Sequence, residues 1–252
     1  MSQFLAHTEQ VDASMASVED LITARVLAYS HTALHQSPFF TQLKQGVLAL
    51  EDVRYVFRHY RLWRDQFHTW FGVCLVKSGS CEQAGVAQTV TALAQHILEE
   101  MQDDHHDMYC QLLQELGLSE QAIAGTAPSP ATRRYIGSFL EHFGFDSHTF
   151  FEAVVALSGR ELFASLRNTY LLETLQQYGL GRPVWLALHE ELELEHFHAA
   201  IRPFVATRVQ TAAAVDHVMQ LIQDEIDAHV AYWDALLTEA QHRRAPTESM
   251  RD

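Results

Sequence analysis

Carboxylates and imidazoles recur at helical spacing in the segment 189–196, which reads HEELELEH. His189, Glu193 and His196 are separated by four and three residues, so a helix would place all three side chains on one face. Nitrogen and oxygen donors that converge from one face are suitable ligands for a transition-metal ion. A glutamate-rich surface helix with two incidental histidines is the alternative that this segment alone leaves open.

A second group of candidate ligands lies in the segment 98–106, which reads LEEMQDDHH. Glu99 and His106 are seven residues apart, which is two helical turns, so they return to nearly the same angle. His105 is a rival to His106, although its angle to Glu99 is a poorer match. A solvated acidic helix face would explain the same residues. This segment therefore supports a metal site only in combination with the other candidate segments.

Glu161 is a third candidate, because its helix face otherwise carries apolar and small residues such as Val154 and Ser165. A carboxylate that is buried on such a face is costly unless a cation compensates its charge. A metal ion would provide that cation. Pairing with Arg160 or Arg167 is the alternative.

The three segments together supply three carboxylates and three imidazoles, namely Glu99, His106, Glu161, His189, Glu193 and His196. Carboxylate-bridged di-iron sites use this mixture, since oxygen ligands stabilise the oxidised metals, imidazoles hold Fe²⁺, and helices provide a rigid frame. The combination therefore predicts a non-haem di-iron centre. The residue types alone do not distinguish iron from manganese.

Long helices must position these residues, and the composition agrees with that requirement. The chain has 252 residues, 48% of them hydrophobic, with only 11 Gly and 6 Pro, and apolar residues recur every three to four positions. We predict a single all-α domain over residues 1–252, with about seven helices and a frayed tail over 241–252. The predicted helices cover 17–30, 51–77, 84–116, 131–143, 147–178, 183–205 and 208–242.

Charge and targeting signals limit the classes of function. The net charge is −15, with 32 acidic against 17 basic residues, which argues against nucleic acid or an anionic membrane as partner. The N-terminal residues lack a signal-peptide pattern, no apolar run approaches the ~18 residues of a membrane span, and three cysteines without CxxC spacing fit a reducing compartment. We therefore expect a cytoplasmic protein that acts on a small molecule, with a homodimer as the default assembly.

The same residues resemble the pattern of the haem-oxygenase-like di-iron oxidases and oxygenases, whose fold relatives include the TenA thiaminases and the pyrroloquinoline-quinone synthase PqqC. In that family a Glu precedes a His on one helix, a lone Glu lies on the next core helix, and a His-x3-Asp-x2-His motif follows. The resemblance covers most of the chain, where the pattern reads Glu99…His106, Glu161 and His189-x3-Glu193-x2-His196. Glu193 departs from the usual Asp.

The resemblance implies a haem-oxygenase-like helical bundle that holds two Fe²⁺ ions and uses dioxygen as co-substrate. It implies that Glu99 or Glu161 bridges or caps the metals and acts closest to the chemistry, while His106, His189 and His196 hold the metals terminally. The implied substrate is an amino-acid-derived or amine metabolite of a biosynthetic pathway, which is N-oxygenated or cleaved at a C–C bond.

Several alternatives stay open at this point. The same site would suit oxidative decarboxylation of a fatty acid, and the same fold would suit a cofactor-free enzyme of the PqqC or TenA kind. A non-catalytic iron-binding protein is a further reading. A ferritin-like bundle would instead combine Glu193-x-x-His196 with Asp103-x-x-His106 and leave His189 unused.

Overall fold

The computed structural model describes residues 17–79, 85–102, 104–141 and 148–244. Within these ranges the regular elements are eleven α-helices and one short 3-10 turn, so the all-α prediction is confirmed with more helices than expected. The helices are α1 (Val18–Gln36), α2 (Pro38–Lys44), α3 (Leu50–Arg64), α4 (Phe67–Val76), α5 (Val86–Gln102), α6 (His105–Glu115), α7 (Glu120–Ala124), α8 (Pro130–Leu140), α9 (Phe150–Leu175), α10 (Val184–Arg208) and α11 (Ala212–Arg244).

Two of the predicted helices are each divided in the structure. Helices α3 and α4 replace one helix over 51–77, and α5 and α6 replace one helix over 84–116, so both predictions of a continuous helix were wrong. The second break lies at Asp104, whose φ of 54° is in the left-handed region that an α-helix cannot contain. No Gly or Pro marks this break. Residues on either side of Asp104 therefore do not share a face by helical spacing.

Helix α9 lies in the interior of the bundle. It packs against α10 and α11, and α1 and α4 also contact it. Twenty of its 26 residues are buried, which is typical of a helix surrounded on most sides. A capping box begins the helix, since Thr149 Oγ1 accepts from the backbone N–H of Glu152 and the Glu152 carboxylate accepts from that of Thr149. Chemistry-bearing residues in the middle of α9 are consequently enclosed.

The last helix, α11, extends further than the sequence predicted. Helix α11 continues to Arg244, beyond Gln241, where we expected fraying to begin, and the remaining tail residues 245–252 lie outside the described ranges. None of the helices in the described ranges is both long enough and apolar enough to cross a membrane.

Gly159 marks the point where α9 approaches α11 most closely. A methyl group at this position would lie 2.5 Å from Cγ1 and Cγ2 of Ile222. We expect Gly159→Ala to lower the free energy of unfolding by about 1–3 kcal/mol, the typical cost of overpacking. Gly137→Ala in α8 is the matched control, because no atom lies within 4 Å of the added methyl group. That change should raise stability by about 0.5–1 kcal/mol.

Urea unfolding of the two variants beside the wild type measures both effects. A Gly159→Ala variant as stable as Gly137→Ala would contradict the close approach of the two helices.

Candidate metal centre

The inward face of α10 carries three of the predicted ligands. His189 and Glu193 are buried, and only 11% of the His196 side chain is exposed. Helix α10 packs against α9, α5 and α6, so ligands on this face can meet side chains from three other helices. The four-and-three spacing in an unbroken helix brings these residues to one side.

The first ligand group consists of Glu100, His105 and His189, whose donor atoms all lie within 4.8 Å of one another. Glu100 Oε1 lies 2.7 Å from His105 Nδ1 and 3.1 Å from His189 Nε2. Burial opposes ionisation of Glu100. The close contacts with the imidazoles of His105 and His189, together with the charge of Arg64, outweigh the burial and hold the pKa of Glu100 well below its usual range.

The hydrogen bonds of His189 indicate that a cation belongs in this group. Its Nδ1 lies 2.7 Å from the carbonyl oxygen of Trp185, which can only accept, so Nδ1 carries the proton. Nε2 then directs a lone pair at the Glu100 carboxylate, which is also an acceptor. Burial lowers the pKa of His189, which disfavours a second proton between the two acceptors. A backbone carbonyl on the other ring nitrogen is the usual way in which a metal-binding histidine is oriented.

The second ligand group consists of His96, Glu193 and His196, again with donor atoms within 4.8 Å of one another. The two imidazole rings stack with centroids 3.7 Å apart. His196 Nδ1 lies 3.4 Å from Glu193 Oε2, and its Nε2 lies 3.1 Å from Glu99 Oε2. Burial lowers the pKa of His96 to about 4, so this ring is neutral at physiological pH and has a lone pair to offer.

Each group contains a buried imidazole nitrogen without a partner. Nε2 of His96 and Nε2 of His105 have no hydrogen-bond partner among the described residues. Buried polar atoms in ordinary cores are almost always satisfied. Two imidazoles and one carboxyl group in each group form the donor set that non-haem Fe²⁺ accepts, so the residues present fit the metal.

Glu161 and Glu193 form a carboxyl pair next to the second group. A hydrogen bond joins them, and the Arg160 guanidinium is paired with Glu161. Burial opposes ionisation of Glu161, but Arg160 lowers its pKa. Burial and the charge of Glu161 raise the pKa of Glu193 well above its usual range. Without a metal, Glu193 therefore keeps its proton and donates it to Glu161, because two adjacent carboxylates require a proton or a cation between them.

One cavity is lined by Glu100 and His189 of the first group and by Glu193 of the second. Its volume is about 30 Å³, enough for about two water-sized molecules. Its wall includes members of both groups together with aromatic and basic side chains, among them Glu100, His189, Glu193, Glu161, Arg160 and Trp63.

Two of the six residues expected from the sequence, Glu99 and His106, belong to neither ligand group and do not line the cavity. The His106 side chain is 56% exposed, and its Nδ1 lies 3.0 Å from Asp65 Oδ1. The Glu99 side chain is 39% exposed and contacts the second group only through His196. The break at Asp104 explains this placement, because the seven-residue spacing aligns side chains only along a continuous helix.

Sequence reasoning missed His96 and Glu100 and treated His105 only as a rival. A signal for the first two existed, since Leu93, His96 and Glu100 follow the three-and-four spacing of an inward helix face, on which Leu93 and His96 are buried. Asp103, which the ferritin-like alternative required, lies outside the described residues.

Comparisons with known proteins identify the family and the fold of the chain. A family profile described as iron-containing redox enzyme matches residues 54–244. The chain is similar to a solved CADD-like protein of unknown function from Nostoc punctiforme PCC 73102, with a TM-score of 0.70 and 17% identity over 88% of this chain and 96% of that one.

Two further solved structures are similar. A domain of unknown function with a haem-oxygenase-like fold from Shewanella denitrificans OS217 has a TM-score of 0.69 and 15% identity, over 95% of this chain and all of that one. A TenA family transcription regulator from Silicibacter sp. TM1040 has a TM-score of 0.63 and 15% identity, over 88% and 97% of the two chains. No curated protein sequence matches significantly. These structures show a shared haem-oxygenase-like fold, and since the profile covers most of the sequence, the chain belongs to the family of iron-containing redox enzymes.

Proposed function

We propose that the protein is a non-haem di-iron enzyme that activates dioxygen to oxidise a small metabolite. The observation that carries the proposal is the pair of groups, each with two imidazoles and one carboxyl group, whose members Glu100, His189 and Glu193 line one cavity together with Glu161. Two histidines and one carboxylate with open positions are the ligand set of many non-haem Fe²⁺ oxygenases.

The proposed ligands follow the structure where it departs from the sequence-based set. One iron would be held by Glu100, His105 and His189, and the other by His96, Glu193 and His196, with Glu161 beside the second iron. Glu100 and His105 thus take the places that the sequence pattern gave to Glu99 and His106. Bound iron would supply the electrons that reduce dioxygen. The volume of the cavity suits dioxygen and water but not a larger molecule.

Buried charged side chains hold Glu161 in place. Arg160 is paired with Glu161, its Nε lies 3.9 Å from Glu225 Oε1, and its guanidinium covers the ring of Trp63 at 4.6 Å. Burial raises the pKa of Glu225 to about 8, so this carboxyl group is protonated at neutral pH and leaves Arg160 to Glu161. Arg160 therefore orients the Glu161 carboxylate and compensates its negative charge.

The charge around an opening next to the cavity favours an amine-bearing substrate. A second opening of about 250 Å³ shares Arg64 and Glu100 with the cavity, and its wall carries Asp104 and Asp107. Acidic side chains at an entrance attract an ammonium group and repel the carboxylate of a fatty acid. We therefore place amino-acid-derived and amine metabolites ahead of fatty acids, with N-oxygenation or C–C cleavage as the reaction.

Anaerobic Fe²⁺ titration of the full-length chain tests the proposal. We expect saturation at about two equivalents, followed by oxygen uptake on aeration that is coupled to loss of an amine substrate. His189→Ala and Glu161→Ala should each lower the iron content and abolish the uptake. No iron binding would contradict the proposal, and tight binding without oxygen uptake would favour a non-catalytic iron-binding protein.

A further inference from the structure

A basic pocket of about 230 Å³ lies between the first half of α3 and the last turn of α11. Its wall carries four arginines and one tyrosine, namely Arg54, Arg58, Arg243, Arg244 and Tyr55. None of its lining residues belongs to the metal cavity. Four arginines in one pocket are unexpected in a chain with 17 basic against 32 acidic residues, and they point to an anionic ligand.

Two of the four arginines are already neutralised. Arg54 Nη1 lies 2.5 Å from Glu51 Oε1, and its Nε donates to the carbonyl oxygen of Leu116 at 2.6 Å. Arg244 Nη2 lies 3.1 Å from Asp52 Oδ2. These contacts fix two guanidinium groups at the rim without adding net charge.

The other two arginines are not compensated. Neither Arg58 nor Arg243 has a carboxylate within 4 Å among the described residues, and both guanidinium groups lie near the Tyr55 ring, at 5.5 Å and 5.3 Å from its centroid. Nε of Arg58 is buried and has no hydrogen-bond partner in the described part of the chain. A pair of positive charges and an unsatisfied donor therefore meet at this pocket.

The positive charge of the pocket contributes to the lowered pKa of a buried neighbour, His59. His59 packs on Tyr55 with ring centroids 4.3 Å apart. Burial, the charge of Arg58 and to a smaller extent that of Arg243 lower the pKa of His59 to about 4, although Glu239 opposes them. His59 is thus neutral and does not compete for the anion.

We propose that this pocket binds a phosphate group, either as free phosphate or as the phosphoryl end of a small metabolite. Two uncompensated guanidinium groups match the charge of a phosphate dianion, and its tetrahedral oxygens can accept from several N–H donors at once. The volume leaves room for a group larger than the phosphate itself. The Tyr55 ring contacts both guanidinium groups and restrains them before the ligand arrives.

Isothermal titration of the full-length, iron-loaded chain with inorganic phosphate tests this proposal. We expect saturable binding to the wild type and at least about tenfold weaker binding to Arg58→Met/Arg243→Met. Arg25→Met/Arg182→Met is the matched control, since it removes the same charge from two exposed arginines elsewhere and should bind like the wild type. Arg243→Met alone, at an exposed helix end, should weaken binding several-fold without affecting the fold.

Phosphate also binds iron, so the titration is repeated after the iron has been removed with a chelator. Affinity that is unchanged by iron removal supports the arginine pocket, whereas binding that disappears with the iron overturns it. Equal affinity in all variants, or no saturable binding to the wild type, would also overturn it. A parallel titration with a sugar phosphate separates the two sources, because tighter binding than inorganic phosphate would identify the phosphoryl end of a metabolite.

Discussion

His105→Ala is expected to bind about one equivalent of Fe²⁺, whereas His106→Ala is expected to bind about two. The two histidines are adjacent in the sequence, but only His105 is buried, with 1% exposure, and only its ring lies within ligand distance of Glu100 and His189. His106 is turned toward Asp65 at the surface. Removing His105 leaves the first group with two ligands, while removing His106 leaves both groups intact.

Iron content after anaerobic loading and gel filtration measures the difference. Oxygen uptake should fall by about 100-fold or more in His105→Ala and by less than about twofold in His106→Ala. The opposite pattern, with His106 essential and His105 dispensable, would restore the assignment made from the sequence. It would also mean that α5 continues through Asp104.

Glu193→Gln is expected to have two opposite effects. It should remove the iron of the second group, because a neutral amide is a poor replacement for the carboxylate among His96, His196 and Glu161. The same change should stabilise the metal-free protein, because the wild type has two adjacent buried carboxyl groups that cannot both ionise. The residue that binds metal thus costs stability when no metal is present.

The stabilisation should grow as the pH rises. In the unfolded chain Glu193 ionises near the ordinary glutamate pKa of 4.5, but burial and the charge of Glu161 raise its pKa in the folded protein. The unfolded state therefore loses this proton first, and the free energy of unfolding of the metal-free wild type falls as the pH rises above that value. Glutamine has no proton to lose. The stability advantage of the variant over the wild type should therefore be larger at about pH 8 than at about pH 5.

Urea unfolding of chelator-treated protein at about pH 5 and about pH 8 measures this trend, and iron analysis measures the loss of metal. Glu195→Gln is the matched control, because it lies on the same helix but is exposed, and it should change neither property. A Glu193→Gln variant that is less stable than the wild type at both pH values would show that the carboxyl pair is not under repulsion.

The sequence was sufficient where a helix is unbroken. His189, Glu193 and His196 lie on α10, which continues from Val184 to Arg208, so their spacing alone predicted their shared face. Apolar periodicity likewise predicted the all-α fold. Glu161 was found because a carboxylate on a buried face needs a cation.

The sequence was not sufficient where the chain changes direction without a breaker residue. Neighbouring residues on a helix differ by about 100° in direction, so the choice between Glu99 and Glu100 depends on the rotation of α5. The choice between His105 and His106 depends on the turn at Asp104, which no Gly or Pro announces. Periodicity inside a helix contains no information about that turn.

The pairing of Arg160 with Glu161 is compatible with metal ligation by Glu161. From the sequence, pairing of Arg160 with Glu161 and metal ligation by Glu161 were alternatives. In the structure Arg160 is paired with Glu161, and the same carboxylate also faces the cavity between the ligand groups. A buried carboxylate can thus take a guanidinium on one side and remain available on the other.

The Glu-Glu and His-His dipeptides on either side of Asp104 have an evolutionary consequence. Glu99 and Glu100 precede it, and His105 and His106 follow it, so each inward residue has a chemically identical neighbour. A substitution that changed the turn and rotated α6 by one residue would exchange His105 for His106, while His96 and Glu100 on α5 keep their places. Descendants of this chain can therefore drift in the register of α6, reshaping the neighbouring opening and the range of accepted molecules, while an imidazole stays beside Glu100.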